Sequence, residues 1–423
     1  MPKFALSFNS IEVKNLGELE MEDSTIGTNV DQTKLRAELV AKAASLVPLL
    51  RSNAPKTEEM RRLPDDSIAA MEAAGMFRIC APKKFGGYEG DVRTYTDVVA
   101  EVGRGCGSSA WIAFISNAAA WIACHYPEDV QREIFEPNPD TRFIGVLAPT
   151  ATASRVDGGY VINGKWGYAS CSLHAHWALL TAQITQENGS KELGLVLMPM
   201  DKLSIEDTWY SVGVRGSGSN TVTAEEVFVP ERRILLLSSL MAKNALGDPE
   251  RSVPFRQAFA PVAVIMTSAP VLGMAKAALE MTRERIGAGG KRIAYSTYTD
   301  ARQAPGMLLQ LAEAASLIEA ANTIVKNWCD RIVSAAFSLH EMSFEDRARM
   351  RSDLGLAARH CRDGVERLMS VQGASAFAES NPIQRVWRDI ATATRHGLIS
   401  PEVPLEIYGR ALVGDFPLLS AFV

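Results

Sequence analysis

From Asp31 onward the apolar positions fall at the spacing of one helical face, with Leu35, Leu39, Ala43, Leu46 and Leu50 on one side and polar residues between them. Pro64-Asp65-Asp66 opens a second helix that Gly75 stops. Residues 91–102 and 108–125 predict two more. The latter is almost wholly apolar, with Trp111, Ile112, Phe114, Ile115 and Trp121, and so belongs at the centre of the fold. Past Pro137 the period changes from about 3.6 to about 2. Short strands are expected over 143–147, 159–163, 177–184, 193–198 and 221–229, separated by turn residues such as Asp157-Gly158-Gly159 and Asn188-Gly189. Helical periodicity returns near Pro254 and runs over 256–287, 306–338 and 345–371. The pattern therefore predicts a mainly α protein with an inserted β unit. A polar, irregular extension (1–30) would lie over a neighbouring surface. A helical domain (31–140), a small antiparallel sheet domain (141–250) and a second helical domain (251–423) would follow.

The sharpest single pattern lies over 381–397. Asn381 and Pro382 read as an N-cap followed by proline at the first helical position. Ile383, Val386, Trp387, Ile390, Ala391 and Thr394 bury one face, and Arg385 and Asp389, one turn apart, are placed to pair. The helix is expected to end at Gly397 with His396 in its last turn. Spacing alone leaves His396 either complementing the helix dipole or tuned by a pocket.

Composition narrows the function. The chain has 423 residues, 47% of them hydrophobic and 22% charged, which is ample for a core and for two or three subdomains. A formal charge of -5 without a basic run argues against nucleic acid. The six cysteines show no metal spacing and read as buried thiols of a reducing compartment. His174 and His176 have no third ligand beside them, so no metal site is assigned. The N-terminus lacks a signal peptide's apolar core and no apolar run of membrane-spanning length stands out, so a soluble cytoplasmic protein is expected. Neither GxGxxG after a strand nor GxxxxGK[ST] occurs.

Several phrases carry candidate chemistry. Gly164-Lys165-Trp166-Gly167-Tyr168-Ala169-Ser170 sits at a strand end and, without further context, is a β-rich core patch. Val214-Arg215-Gly216-Ser217-Gly218-Ser219-Asn220 is a glycine-serine loop whose backbone can approach a ligand and whose hydroxyls can donate. Arg292, after Gly287-Ala288-Gly289-Gly290, offers a fork for phosphate. Ser116 and Asn117 interrupt the apolar helix, either to bond a neighbouring turn or to face a pocket.

Helices, then sheet, then helices, with Pro82-x-x-x-Gly86-Gly87 after the second helix and Arg388-Asp389 near the end of the last domain, resemble the acyl-CoA dehydrogenase superfamily over about residues 31–415. The glutamate that serves the dehydrogenases as base would fall near Gly397, where this chain has none. Arg-Asp followed by Arg395-His396 is instead similar to the flavin-dependent monooxygenase branch. That resemblance implies the oxygenase component of a two-component system. It would take reduced flavin (FADH2 or FMNH2) from a separate reductase, react it with O2 to a C4a-hydroperoxyflavin and hydroxylate a small aromatic or amine substrate.

The resemblance also implies the site. Ser170 would approach the flavin N5 edge and His396 would exchange a proton, as the two catalytic residues. Trp166, Tyr168, Ala169, Ser170, Arg215, Ser217, Arg292, Gln372 and Gly373 would bind the cofactor, Arg292 acting across a subunit boundary. Ala374-Ser375 stands where the family's turn after Gln372-Gly373 has a further glycine. Trp111, Ser116 and Asn117 would line the substrate pocket. A homotetramer is implied, with an amino-sugar N-oxygenase as the alternative, and with a dehydrogenase of relocated base or a non-catalytic scaffold behind it.

Overall fold

A computed structural model describes residues 23–186, 188–242, 250–416 and 419–423. Five helices come first: α1 (Asp23–Met60), α2 (Asp65–Ala73), α3 (Val92–Gly105), α4 (Gly107–Ala123) and α5 (Glu128–Phe135). Eight strands follow: β1 (Phe143–Val146), β2 (Ala151–Val156), β3 (Gly159–Ala169), β4 (Trp177–Thr185), β5 (Lys191–Pro199), β6 (Ser204–Glu206), β7 (Asn220–Pro230) and β8 (Ile234–Leu236). The chain then returns to helix: α6 (Leu237–Ala242), α7 (Val253–Arg256), α8 (Phe259–Met266), α9 (Ser268–Gly287), α10 (Pro305–Phe337), α11 (Phe344–Gln372), α12 (Ile383–Ala393) and α13 (Glu402–Ala411). This is the acyl-CoA dehydrogenase-like order of helices, sheet and helices.

Some expectations change. Of the extension expected over 1–30, residues 23–30 are the first turns of α1, and residues 1–22 lie outside the described residues. The sheet is mixed rather than antiparallel, because β1 and β2 both pair β4 in parallel. Its order is β6-β7-β3-β2-β4-β5-β8, with β1 beside β4. Strands β2, β6 and β8 are additional, and β3 runs on to Ala169 instead of stopping at 163. Two helical stretches, Phe259–Gly287 and Pro305–Phe337, are long and apolar enough to cross a membrane, contrary to the expectation that none is. The first is core: 83% of its apolar window is buried inside the fold. The second packs one face on α11, and its other face leaves Leu308 and Leu309 exposed. All six cysteines are buried and free.

Helix α4 is the pivot. Nearly every side chain on it is buried, and it touches α3, α8, α9, α12 and β1. It therefore brings both helical layers and the sheet to one place.

Candidate active site

That place is a cavity of about 730 Å³, within the range of small-molecule sites. Its walls are apolar. Trp111, Phe114, Ile115, Ala118 and Ile122 come from α4, Val146 and Leu147 from the end of β1, and Phe259, Val262 and Met266 from α8. The end of α12 and the turn after it give Thr392, Ala393, His396 and Leu398, and the C-terminal segment gives Ser420 and Phe422. Among the described residues no aspartate or glutamate lines it, and the charged residues that do are Arg351 and Arg395.

A bulge in β3 shapes one end. Trp166 pairs with Val222 and Ala169 with Asn220, so Gly167 and Tyr168 together face Thr221. Tyr168 takes the left-handed conformation, φ +59°, and its ring stands 76% exposed, edge-on to Trp209 at 6.0 Å. Just beyond it, Ser170 Oγ accepts from Trp111 Nε1 at 3.1 Å and lies 2.7 Å from Ser219 Oγ, which lies 2.7 Å from Ser217 Oγ. Trp111, Tyr168, Trp209, Ser170 and Ser219 all border the cavity.

The loop carrying Ser219 is pinned from three sides. Asp389 Oδ1 accepts from the Val214 amide at 2.6 Å, holding Val214 at φ +44°. Arg388 donates to the Val212 carbonyl and to Glu58, and Arg385 donates to Glu58 at 2.8 Å. The Gly216 amide donates to Ser108 Oγ at 3.1 Å. A Cβ on Gly213 would stand 2.1 Å from the Arg388 carbonyl oxygen, and one on Gly216 would stand 2.1 Å from Thr57 Cγ2. Glycine is therefore required at both contacts. The expected Arg385–Asp389 pair does not form: Arg385 turns to α1 and Asp389 to the loop. Burial pushes the Asp389 carboxyl up to about 7, against the lowering effect of its bond from Val214.

Helix α12 ends at Ala393 rather than Gly397, and His396 follows in a turn whose Ile399 and Ser400 amides donate to the His396 carbonyl. The ring lies edge-on to Trp111 at 5.7 Å and to Phe114 at 6.5 Å. Burial alone holds its pKa down to about 4, so the imidazole is neutral at pH 7. The Leu398 amide donates to Nδ1 at 3.3 Å, which assigns the ring proton to Nε2. The indole of Trp111 thus touches Ser170 through its N–H and His396 through its ring, and four residues expected from sequence, Trp111, Tyr168, Ser170 and His396, meet in one cavity.

Others do not. Ser116 accepts from the Phe143 amide, and Asn117 accepts from the Cys80 amide while donating to the Met76 and Ala113 carbonyls. Both face away from the cavity as structural residues. Trp166 is fully buried in the sheet core, its indole donating to the Thr181 carbonyl, so it cannot lie against a bound ring system. Ala169 is fully buried beside it, and Ser217 stands behind Ser219. Gln372 is occupied by Thr282 and Asn381, and Gly373 turns the chain at φ +69°. Arg292 is exposed in the segment after α9 and lines no part of this cavity. The residues that sequence reasoning did not reach are Trp209, Ser219, Arg351, Arg395 and the C-terminal Ser420 and Phe422. Ser219 lay inside the glycine-serine loop. Arg351 stands in register with Leu354, Ala358, Cys361 and Val365, an apolar stripe that an arginine interrupts.

The surface at the bulge suits a flavin. Exposed Tyr168 and part-buried Trp209 offer aromatic faces for a planar ring system, and the Ser170 and Ser219 hydroxyls border the same cavity. Arg215 is half-buried and its Nε has no hydrogen-bond partner, so a cation stands ready for an anionic group.

Residues 31–138 match the family model described as acyl-CoA dehydrogenase, N-terminal domain, and residues 265–401 match acyl-CoA dehydrogenase, C-terminal domain. The chain is 32% identical to the flavin-dependent monooxygenase oxygenase subunit HsaA of Rhodococcus jostii (strain RHA1), over 88% of this chain and 97% of that protein. It is 30% identical to the FADH(2)-dependent resorcinol hydroxylase oxygenase component of Rhizobium sp. (strain MTP-10005), over 94% of this chain and 99% of that protein. Among solved structures, XiaF from Streptomyces sp., in complex with FADH2 and glycerol, superposes with a TM-score of 0.89 at 31% identity, covering 93% of this chain and 99% of that one.

Proposed function

The chain belongs to the acyl-CoA dehydrogenase family and is the oxygenase component of a two-component flavin-dependent monooxygenase, and from that premise we propose that it hydroxylates a phenolic substrate held between His396 and the Ser170 end of the cavity. The observation that carries this is the Trp111 indole, which ties Ser170 and His396 to one apolar chamber. Reduced flavin, delivered by a separate reductase, supplies with O2 the oxygen atom to be inserted. Everything else is the work of this chain.

The apolar walls exclude water, which would otherwise compete for the reactive oxygen. Tyr168 and Trp209 would hold the ring system, and Ser170, its Oγ fixed by the Trp111 N–H, would offer a hydroxyl to it. Arg215 would take an anionic group of the cofactor. His396 holds its proton at Nε2 and would donate it in a hydrogen bond to the phenolic oxygen, orienting the ring and stabilising negative charge that develops on that oxygen. Among the described residues the lining contains no carboxylate to balance an ammonium or to abstract an α proton, which favours a phenol over an amino-sugar and over an acyl thioester. A homotetramer fits the exposed apolar face of α10 and the position of Arg292 away from its own cavity. A cytoplasmic location suits the six free thiols.

The test is a panel of phenols with reduced flavin and a generic reductase, with hydroxylated product and hydrogen peroxide both measured. His396→Ala should leave reduced-flavin binding intact and cut coupling to product by about a hundredfold or more, the general scale for a positioned proton donor. Full coupling in that variant would remove His396 from the reacting centre.

A further inference from the structure

We infer that Arg351 is the substrate-recognition residue of this cavity, so that the aromatic substrate carries a carboxylate. The inference rests on the cavity being the substrate site and adds the substrate's charge. Arg351 sits in the middle of α11 and is only 3% exposed. Of its five N–H donors, one bond is formed among the described residues, from Nη1 to Ser420 Oγ at 2.7 Å. Nε is buried without a partner, no ion pair reaches the guanidinium among the described residues, and burial alone lowers its pKa, with no neighbouring carboxylate acting to raise it. Arginines this buried are almost always paired, because an uncompensated charge in a protein interior is expensive. Folding has placed this one in the wall of the apolar cavity, with no carboxylate paired to it among the described residues.

The surroundings point to an incoming anion. Ser420 Oγ accepts from Arg351 and from the Phe422 amide at 3.2 Å, which leaves its hydroxyl proton to give. Arg351 and Ser420 therefore present donors only, and both line the cavity. Among the described residues no carboxylate of the lining competes for them. Val423, three residues past Ser420, packs against Ala348, Ile407 and Ala411. Arg395, the other cation of the lining, is exposed and bonded to the Ala391 carbonyl in the last turn of α12, so it is a solvated residue at the rim. A planar guanidinium fork matches a carboxylate in two parallel bonds. A phenol-carboxylate would thus be held at both ends, its acid by Arg351 and Ser420 and its hydroxyl by His396.

The experiment uses the full-length protein and three matched pairs, 4-hydroxybenzoate, 4-hydroxyphenylacetate and 3-(4-hydroxyphenyl)propanoate, each against its primary amide. Dissociation constants are measured first without flavin, by tryptophan quenching or calorimetry. At least one acid should bind about 10- to 100-fold more tightly than its amide, the ratio expected of hydrogen bonds to a charged group. Arg351→Gln should erase that ratio while leaving the amide within about threefold, and Arg351→Lys and Ser420→Ala should each keep part of it. Equal binding of every acid and its amide by the wild type overturns the inference, and so does a variant that weakens acid and amide alike. If Arg351→Gln does not fold, the Lys and Ala variants carry the test, and an unchanged acid preference in both overturns it. Turnover is scored separately: acid preference without any hydroxylated product would count against the oxygenase reading and leave Arg351 as an anion site.

Discussion

Replacing Asp389 by asparagine tests how the glycine-serine loop is held. The carboxyl is 5% exposed, accepts the Val214 amide, and is pushed by burial from 3.8 to about 7. Its native pKa therefore lies above its unfolded one. Between about pH 4 and pH 7 the native state keeps a proton that the unfolded state sheds, so the stability present at acid pH is lost as pH rises through this window. A displacement of about 3 units at about 1.4 kcal/mol each makes the full loss roughly 4 kcal/mol. Asparagine copies the protonated form: it keeps the acceptor for Val214, never ionises, and carries an amide NH2 whose want of a partner costs about 1–3 kcal/mol at every pH. Unfolding by denaturant, followed by tryptophan fluorescence at fixed protein concentration from pH 4.5 to 8.5, should show Asp389→Asn gaining on the wild type by roughly 3 kcal/mol across the range. Buried histidines are common to both proteins and cancel. Two parallel pH curves would refute the account, because they would mean that Asp389 is ionised in the native state throughout. Asp389→Ala should differ in kind: it frees Val214 from its left-handed conformation, displaces Ser219 from Ser170, and raises peroxide release.

Three further outcomes are expected. His396 has the opposite sign from Asp389: its native pKa of about 4 lies below the ordinary 6.5, so its contribution is lost as pH falls from about 6.5 toward 4. His396→Ala should therefore be less acid-sensitive than the wild type by up to about 3 kcal/mol in pH-dependent denaturation. Trp111→Phe removes the N–H that fixes Ser170 but keeps a ring against His396, so coupling to product should fall while melting temperature moves little, and unchanged coupling would detach Ser170 from the chemistry. Trp166→Phe orphans the Thr181 carbonyl, so stability should drop by about 1–3 kcal/mol with reduced-flavin affinity unchanged in a titration, whereas a large affinity loss would return Trp166 to the cofactor site.

What the sequence disclosed and what it hid follow from the range of the interactions involved. Periodicity found the long helices and most of the strands because those patterns are local, and it passed over the short helices α5, α6 and α13. It missed that β1 and β2 run parallel to β4, since nothing within a strand says which distant neighbour it will pair. Trp166 and Tyr168, two apart, should share a face of β3 by alternation; the bulge at Gly167 and Tyr168 separates them, so one enters the core and the other borders the cavity. Arg385 and Asp389 lie at the spacing of a helical ion pair, yet each finds a better partner far along the chain. Glu58 is a carboxylate already shared by two arginines, and the Val214 amide is a buried donor that would otherwise go unmet.

Helix α4 shows that part of the site was open to a stricter reading. Trp111, Ile115, Ala118 and Ile122 recur at intervals of four, three and four, one continuous stripe, and all of them line the cavity. Ser116 and Asn117 fall outside that stripe. Once Trp111 is assigned to the pocket, helical geometry alone turns Ser116 and Asn117 toward other elements, where the Phe143 and Cys80 amides and the Met76 carbonyl meet them. Polarity within an apolar helix was the wrong guide there, because a buried amide side chain is at least as useful for satisfying backbone groups as for meeting a ligand. At Arg351, which the sequence reading passed over, no backbone group or carboxylate meets the guanidinium among the described residues. What separates the two cases is satisfaction: Asn117 makes three hydrogen bonds within the protein, while Arg351 makes one and leaves Nε bare.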